Sequence, residues 1–258
     1  MTGRPFEPGE PVLLIDRKSR RYLFDLASGR EFHTHTGVIA HNEIIGAQEG
    51  TRLRSTRGSS FLALRPTLAD AVLKMPRGAQ VIYPKDIGPI LMLADIFAGA
   101  RVLEAGVGSG ALSMALLRAG AVVTGYERRE DFCARARANV ERFCGLEALE
   151  RYRTEVRDVY EGIDETGLDR VVLDLPEPWQ VVRHAGSALR PGGILLAYTP
   201  SIVQVQRLSQ ALDESPFDLH ETVEILQRGW HVEGDAVRPN HRMVAHTGFL
   251  TVSRLTEL

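Results

Sequence analysis

This sequence holds almost no cysteine: two residues in 258, Cys133 and Cys144, both inside one charged helical pattern. Without CxxC spacing they offer no disulfide framework, and both are expected as reduced, partly buried thiols. Net charge is nearly absent as well. A balance of −2 excludes a global basic field, so any affinity for nucleic acid must rest on local patches. No apolar run approaches the length of a membrane span, and residues 1–10 carry prolines and charges where a secretory signal needs a continuous apolar stretch. A cytoplasmic protein without membrane contact is expected. Internal repeats and low-complexity tracts are also missing.

What is present is an ordinary globular composition, 44% hydrophobic and 25% charged, on a chain long enough for one large domain and a small one. Residues 1–65 carry short apolar runs, Val12-Leu13-Leu14-Ile15, Tyr22-Leu23-Phe24-Asp25-Leu26 and Ser60-Phe61-Leu62-Ala63-Leu64. Turn-forming Gly, Ser and Asp separate them, which predicts a small β-rich domain. Within it Arg17-Lys18-Ser19-Arg20-Arg21 falls at a hairpin tip, and Arg52, Arg54 and Arg57 alternate along a strand and its turn, putting several cations on one side. His33 and His35, two apart, share a face if that stretch is a strand, and His41 follows. With no cysteine or close carboxylate to complete a ligand set, these histidines read as polar surface or RNA-facing, and no metal is expected.

Residues 66–85 read as a linker and a loop over a ligand pocket. A helix over 67–75 is closed by Pro76, an apolar stretch ends in Tyr83-Pro84-Lys85-Asp86, and another helix runs from about 86 to 97. From residue 101 short apolar strands (101–105, 122–126, 151–157, 170–175, 194–199) alternate with helical segments (110–119, 131–143, 184–189). That alternation implies a doubly wound, mostly parallel α/β sheet within residues 86–258. The runs 221–230 and 243–254 predict a terminal antiparallel strand pair at its edge.

The stretch Val102-Leu103-Glu104-Ala105-Gly106-Val107-Gly108-Ser109-Gly110-Ala111-Leu112 reads as strand, tight turn and helix N-terminus. Its glycines let the backbone approach a ligand closely, with the free N–H groups of the helix start facing it. Gly106, Gly108 and Ala111 also satisfy the loose dinucleotide fingerprint, which leaves a nicotinamide cofactor open. Glu104, an anion two residues before the first glycine, favours instead a ligand with a cationic amino-acid end. Glu127 ends the second strand, 21 residues after Gly106, where a doubly wound sheet presents an acid to ribose hydroxyls. Asp158, after the third strand, is the candidate acceptor for an adenine amino group, with Glu155 and Glu161 as nearby competitors. The strand Val171-Val172-Leu173-Asp174 delivers Asp174 to the carboxyl edge of the sheet, and Pro176 and Pro178 stiffen the loop before Trp179. A planar base stacked near Trp179 or Tyr83, with Asp174 accepting from its exocyclic amine, is the arrangement this predicts.

The E-x-G-x-G-x-G form of the loop resembles the first motif of S-adenosylmethionine-dependent methyltransferases. Further motifs are Arg65-Pro66-Thr67-Leu68, Met75-Pro76-Arg77-Gly78-Ala79-Gln80-Val81-Ile82-Tyr83-Pro84-Lys85-Asp86, the Asp174 to Trp179 loop, Arg228-Gly229-Trp230-His231-Val232-Glu233-Gly234, and the stretch from Val237-Arg238-Pro239 to His246-Thr247. With them, nearly the whole chain resembles the bacterial and archaeal tRNA (adenine-58-N1)-methyltransferases. The resemblance implies a class I, Rossmann-like methyltransferase domain beside a small N-terminal β-domain, S-adenosyl-L-methionine as methyl donor without a metal, and a homotetramer. It also implies methylation of N1 of an adenosine in the T-loop of tRNA. By matching motif positions it gives Ser109, Gly110, Ala111, Leu112, Glu127, Phe132, Asp158 and Asp174 cofactor contacts, beside Glu104, Gly106 and Gly108 of the loop. Asp174 and Tyr83 take roles toward the target base. The chain departs from the usual family form in a shorter connection between Arg118 and Val122, and in the Leu175-Pro176 pair before Glu177. Competing functions are a protein carboxyl methyltransferase and a non-catalytic tRNA-binding subunit whose cofactor site has decayed. Intact Glu104, Gly106, Gly108, Gly110, Glu127 and Asp174 argue against decay.

Overall fold

The alternating runs of the N-terminal region form β1 (Pro11–Asp16), β2 (Arg21–Asp25), β3 (Glu31–Thr34), β4 (Gly37–Ala40), β5 (Arg52–Arg54) and β6 (Ser60–Leu64), followed by helix α1 (Leu68–Lys74). The computed structural model describes residues 4–75, 77–78 and 80–256, and the chain divides into two units, Met1–Met75 and Pro76–Leu258. In the first unit β2-β1-β6-β5 make an antiparallel sheet and β3-β4 a separate hairpin, with Phe6, Leu14, Leu26, Ile39 and Phe61 in the core. Thr67 caps α1 reciprocally: its hydroxyl accepts from the Asp70 N–H, and the Asp70 carboxylate accepts from the Thr67 N–H. Pro76, expected to close this helix, lies outside the described residues, as does Ala79 of the following motif.

Three expectations for this unit change. β3 ends at Thr34, so His35 stands in the turn and does not share a strand face with His33. His41 is not surface. It is 6% exposed, its Nδ1 accepts from the Ala27 N–H, and its ring packs on Phe24. Burial, helped by Arg30, holds this imidazole below its ordinary pKa. At the β1–β2 tip Arg20 pairs with Asp16 and Arg21 with Asp70, so two cations of the basic run are neutralised within the unit.

The second unit opens with α2 (Pro84–Leu93), which starts earlier than the expected residue 86 because the fixed φ of proline suits a first helical position. It stops short of 97, where Asp95 takes a φ of +47°. There follow β7 (Arg101–Ala105), α3 (Ala111–Arg118), β8 (Val122–Glu127), α4 (Glu130–Cys144), α5 (Leu146–Leu149), β9 (Tyr152–Val156), β10 (Leu168–Asp174), α6 (Val182–Ala188) and β11 (Leu189–Thr199). The unit ends with α7 (Ile202–Asp213), β12 (Phe217–Glu224), β13 (Trp230–Glu233), β14 (Ala236–Pro239) and β15 (Phe249–Leu255).

Seven strands form one sheet in the order β12-β15-β11-β10-β7-β8-β9. It is parallel from β11 through β9, while β15 runs antiparallel to both β11 and β12. This is the doubly wound α/β architecture expected, with additions besides the short α5. α7, which the sequence pattern did not announce, is capped by Ser201 and buries Val205, Leu208 and Leu212. The long runs expected near the C-terminus shorten to β12 and β15, and the polar stretch between them folds into its own hairpin, β13–β14. Cys133 is buried and Cys144 partly so; both are free thiols, pushed above their ordinary pKa first by burial.

Candidate active site

β7 lies between β8 and β10, so the chain winds outward from it in one direction and returns to its other side. At such a switch point the carboxyl ends of neighbouring strands border a crevice in which doubly wound proteins bind ligands. The glycine loop occupies that position. Gly106 has a φ of +87°, and a Cβ there would stand 2.1 Å from the Asp174 carbonyl oxygen, so only glycine lets the ends of β7 and β10 approach. Gly110, at φ +81°, is the N-cap of α3 and rests against Ala136 of α4. Residues 119–121 make the short link from α3 to β8.

Three carboxylates converge on this loop. Glu104, 1% exposed within β7, accepts from Ser113 Oγ at 2.5 Å, and Ser113 meets the Tyr152 hydroxyl at 2.9 Å. Glu127 accepts from the Gly108 N–H at 3.0 Å and from the Arg129 N–H at 3.1 Å, which ties the end of β8 to the loop. Asp174 ends β10, in register with Tyr198. Burial, with Asp174 and Glu127 nearby, drives Glu104 up to about 8 against the opposing bond from Ser113. Burial and Glu127 likewise raise Asp174 to about 7. Among the described residues no lysine or arginine forms an ion pair with any of the three. Ser109 Oγ, on the same loop and buried, has no hydrogen-bond partner among the described residues. A buried acid and two half-buried ones without cations among the described residues, together with an orphaned hydroxyl, are what a site built for a cationic, hydrogen-bonding ligand presents.

Two cavities meet at Gly106 and Asp174. The larger, about 450 Å³, is lined by Gly106, Glu127, Arg128, Asp158, Tyr160 and Asp174 among others. The narrower, about 20 Å³, lies between Gln80, Val81 and Ile82 on one side and Glu104, Gly106, Gly108, Ser109, Ala111 and Leu112 on the other. Asp158 accepts from the Tyr160 N–H at 3.0 Å and pairs with Arg128 at 3.4 Å. Phe132 lines neither cavity; it is buried, with the guanidinium of Arg129 4.1 Å from its ring centre and that of Arg135 5.3 Å away. Tyr83, partly buried at the N-cap of α2, lines neither cavity, although it neighbours Tyr198 together with Asp174.

Trp179 does not present the free stacking face expected of it. Its ring packs on the core of the sheet and is covered by Arg207, 5.3 Å from its centre. The loop after Asp174 is held by other contacts: Gln204 donates to the Pro176 carbonyl at 2.8 Å, and the Glu177 N–H donates to the Tyr160 hydroxyl at 3.1 Å. Sequence reasoning passed over Ser113, Arg128 and Tyr160. Ser113 left a signal, since it is the polar residue in an otherwise apolar helix start, and a buried hydroxyl needs a partner.

Fold and site together define a class I methyltransferase. Residues 61–237 match the family described as tRNA methyltransferase complex GCD14 subunit, and residues 5–52 match that described as TrmI-like N-terminal. The chain is 38% identical over 250 residues to tRNA (adenine(58)-N(1))-methyltransferase TrmI of Thermus thermophilus, with 96% of this chain and 97% of that protein covered. It is 36% identical over 271 residues to tRNA (adenine(57)-N(1)/adenine(58)-N(1))-methyltransferase TrmI of Methanocaldococcus jannaschii, with 94% of each covered. The solved structure of tRNA (m1A58) methyltransferase TrmI from Aquifex aeolicus aligns with a TM-score of 0.85 at 28% identity, covering 98% of this chain and 100% of that one. A Thermotoga maritima structure described as a SAM-dependent O-methyltransferase aligns with a TM-score of 0.94 at 35% identity, covering 99% and 96%. The chain belongs to the tRNA (adenine-58-N1)-methyltransferase family.

Proposed function

We propose that this protein transfers a methyl group from S-adenosyl-L-methionine to N1 of adenosine 58 in the T-loop of tRNA. The observation that carries the reading is the convergence of Glu104, Glu127 and Asp174, none with a cation among the described residues, on a glycine loop in a chain of this family. At the narrow end Glu104, Ser109, Ala111 and Leu112 hold the amino-acid part of the donor, with Gly110 and the helix start behind them. At the wide end Glu127 accepts from the ribose and Asp158 from the adenine, with Phe132 supporting that wall. When bound, the donor supplies an electrophilic methyl group on a cationic sulfur. Asp174 accepts from the N6 amino group of the target adenine, orients N1 and stabilises the positive charge that appears on the methylated base. Tyr83 flanks that base. N1 lies on the Watson–Crick edge, so the nucleotide must leave its stack to reach Asp174. Exposed Trp230, Val232 and Val237 support assembly as a homotetramer, and the cytoplasm is the compartment where tRNA would meet it.

The test is methylation of a tRNA transcript with isotope-labelled donor, followed by mass spectrometry of the nucleosides. 1-Methyladenosine is expected, and none when adenosine 58 is replaced by guanosine. Label on a ribose or other oxygen, or in protein alone, would overturn the proposal.

A further inference from the structure

Beside the base-accepting part of the site lies a buried ion pair that the proposed chemistry does not use. Lys85 and Asp86, consecutive in the first turn of α2, have side chains 3% and 0% exposed, with Lys85 Nζ 2.7 Å from Asp86 Oδ1. Lys85 also donates at 2.7 Å to the carbonyl of Ile225, just after β12. Asp86 Oδ2 accepts at 2.7 Å from the hydroxyl of Thr247, shortly before β15. The Thr247 carbonyl in turn accepts from the Tyr198 hydroxyl at 2.6 Å, and Tyr198 is the register partner of Asp174. On the other side, the N–H groups of Asp86 and Ile87 both donate to the Tyr83 carbonyl. One knot therefore joins the segment that carries Tyr83, both ends of the C-terminal stretch between β12 and β15, and the strand beside Asp174.

A buried ion pair is a poor source of net stability, because desolvating two charges offsets much of their attraction, whereas its geometric demands are strict. Here the demands act on the start of α2. Tyr83 makes no side-chain cap bond, so the first turn is anchored through Lys85 and Asp86. Burial raises the Tyr198 phenol to about 12 against its bond to Thr247, and Asp86, Asp174 and Tyr83 add to that rise. All three therefore lie within electrostatic reach of the one phenol that Thr247 holds.

We propose that Lys85, Asp86 and Thr247 are positioning residues that fix Tyr83 relative to Asp174 and thereby set the rate of methyl transfer without touching base or donor. The proposal rests on the roles given above to Asp174 and Tyr83. Thr247→Val removes one hydroxyl and keeps the backbone carbonyl that holds Tyr198; Thr247→Ser keeps both. Single-turnover methylation of a tRNA transcript is measured for each, with donor and tRNA dissociation constants and Tm alongside, and Asp174→Ala in parallel. Thr247→Val is expected to lose about tenfold in rate at unchanged affinities, since small misplacements of reacting groups are costly, and Thr247→Ser to recover most of it. A wild-type rate in Thr247→Val, an equal loss in both variants, or a rate loss matched by weaker tRNA affinity would overturn the assignment. The double variant Lys85→Met with Asp86→Asn removes both charges together and leaves neither buried alone. It keeps the test decisive should Thr247→Val misfold: slower transfer at unchanged affinities supports the clasp, and an unchanged rate sinks it. Loss in Asp174→Ala without loss in the other variants removes the clasp alone, whereas a wild-type rate in Asp174→Ala removes the reading beneath it and the clasp as well.

Discussion

Glu104 makes the ligand-free site sensitive to pH, because burial and the neighbouring Asp174 and Glu127 place its pKa at about 8. A carboxyl whose folded pKa lies above its unfolded value binds its proton more tightly when folded. Its contribution to stability is therefore fully present below the ordinary carboxylate range and is lost as pH rises through about 8. Asp174, at about 7, acts with the same sign over the lower part of that window. A cationic ligand favours the ionised form of both, so binding expels protons. Calorimetry of S-adenosylmethionine binding near neutral pH, in buffers of different ionisation enthalpy, is expected to show net proton release and an affinity that increases up to about pH 8. Glu104→Gln should remove most of the release; binding of the wild-type protein with no release would separate the donor's cationic end from these carboxylates. The role of Asp174 itself divides into orientation and charge. Asp174→Ala should slow single-turnover methylation by about 10²-fold or more with tRNA affinity retained. Asp174→Asn should keep more activity, since its amide oxygen still accepts from adenine N6 but carries no charge. Near-wild-type rates in both would take Asp174 out of the mechanism.

β5 shows how an element turns a sequence pattern into a surface. Leu53 is buried while Arg52 and Arg54, on the opposite face, are exposed, and Arg57 in the next turn donates to the His35 carbonyl at 3.2 Å. Because Asp16 and Asp70 neutralise Arg20 and Arg21, Arg52 and Arg54 of β5 and Arg57 of its turn are the better candidates for binding phosphates in this unit. Replacing all three by glutamine should weaken tRNA binding and flatten the dependence of log K on log salt by roughly one unit for each phosphate no longer neutralised. Filter binding across a salt series measures it. An unchanged slope would make this strand a solvated face and put the tRNA elsewhere.

At the scale of the whole molecule, the β13–β14 hairpin and the segments flanking it carry a group of apolar side chains that one chain leaves in water, alongside others such as Met92 and Leu219 elsewhere on the surface. Leu226, Trp230, Val232, Val237, Met243 and Val244 are all exposed, Trp230 by 60%. A cluster of this kind is costly in solution unless it is covered, and the proposed homotetramer would cover it. Sedimentation equilibrium is expected to return four chains per particle. Trp230→Glu combined with Val237→Glu should lower that number while leaving the far-ultraviolet circular dichroism unchanged. A monomeric wild-type protein, or a tetramer indifferent to these charges, would move the interface or remove it.

The parts of this protein that the sequence determined by itself are those whose physics is local. The apolar runs of β7, β8 and β10 were legible because a parallel strand buried on both faces needs them. Glu104, Glu127 and Asp174 were legible because they sit at or beside the ends of such runs, Glu104 just before glycines that only a tight turn requires. His41, Trp179 and Ser113 were not. Whether a histidine is surface or core, whether an indole faces a base or is covered by Arg207, and whether a serine reaches the carboxylate nine residues before it depend on what other elements bring alongside. The bond from Thr247 to Asp86 spans 161 residues of chain. Periodicity and backbone preference act over a turn or a strand. Burial, the field of one carboxylate on another, and a hydrogen bond between distant segments come into being only when the sheet has brought its strand ends together, and so the tertiary structure decided them.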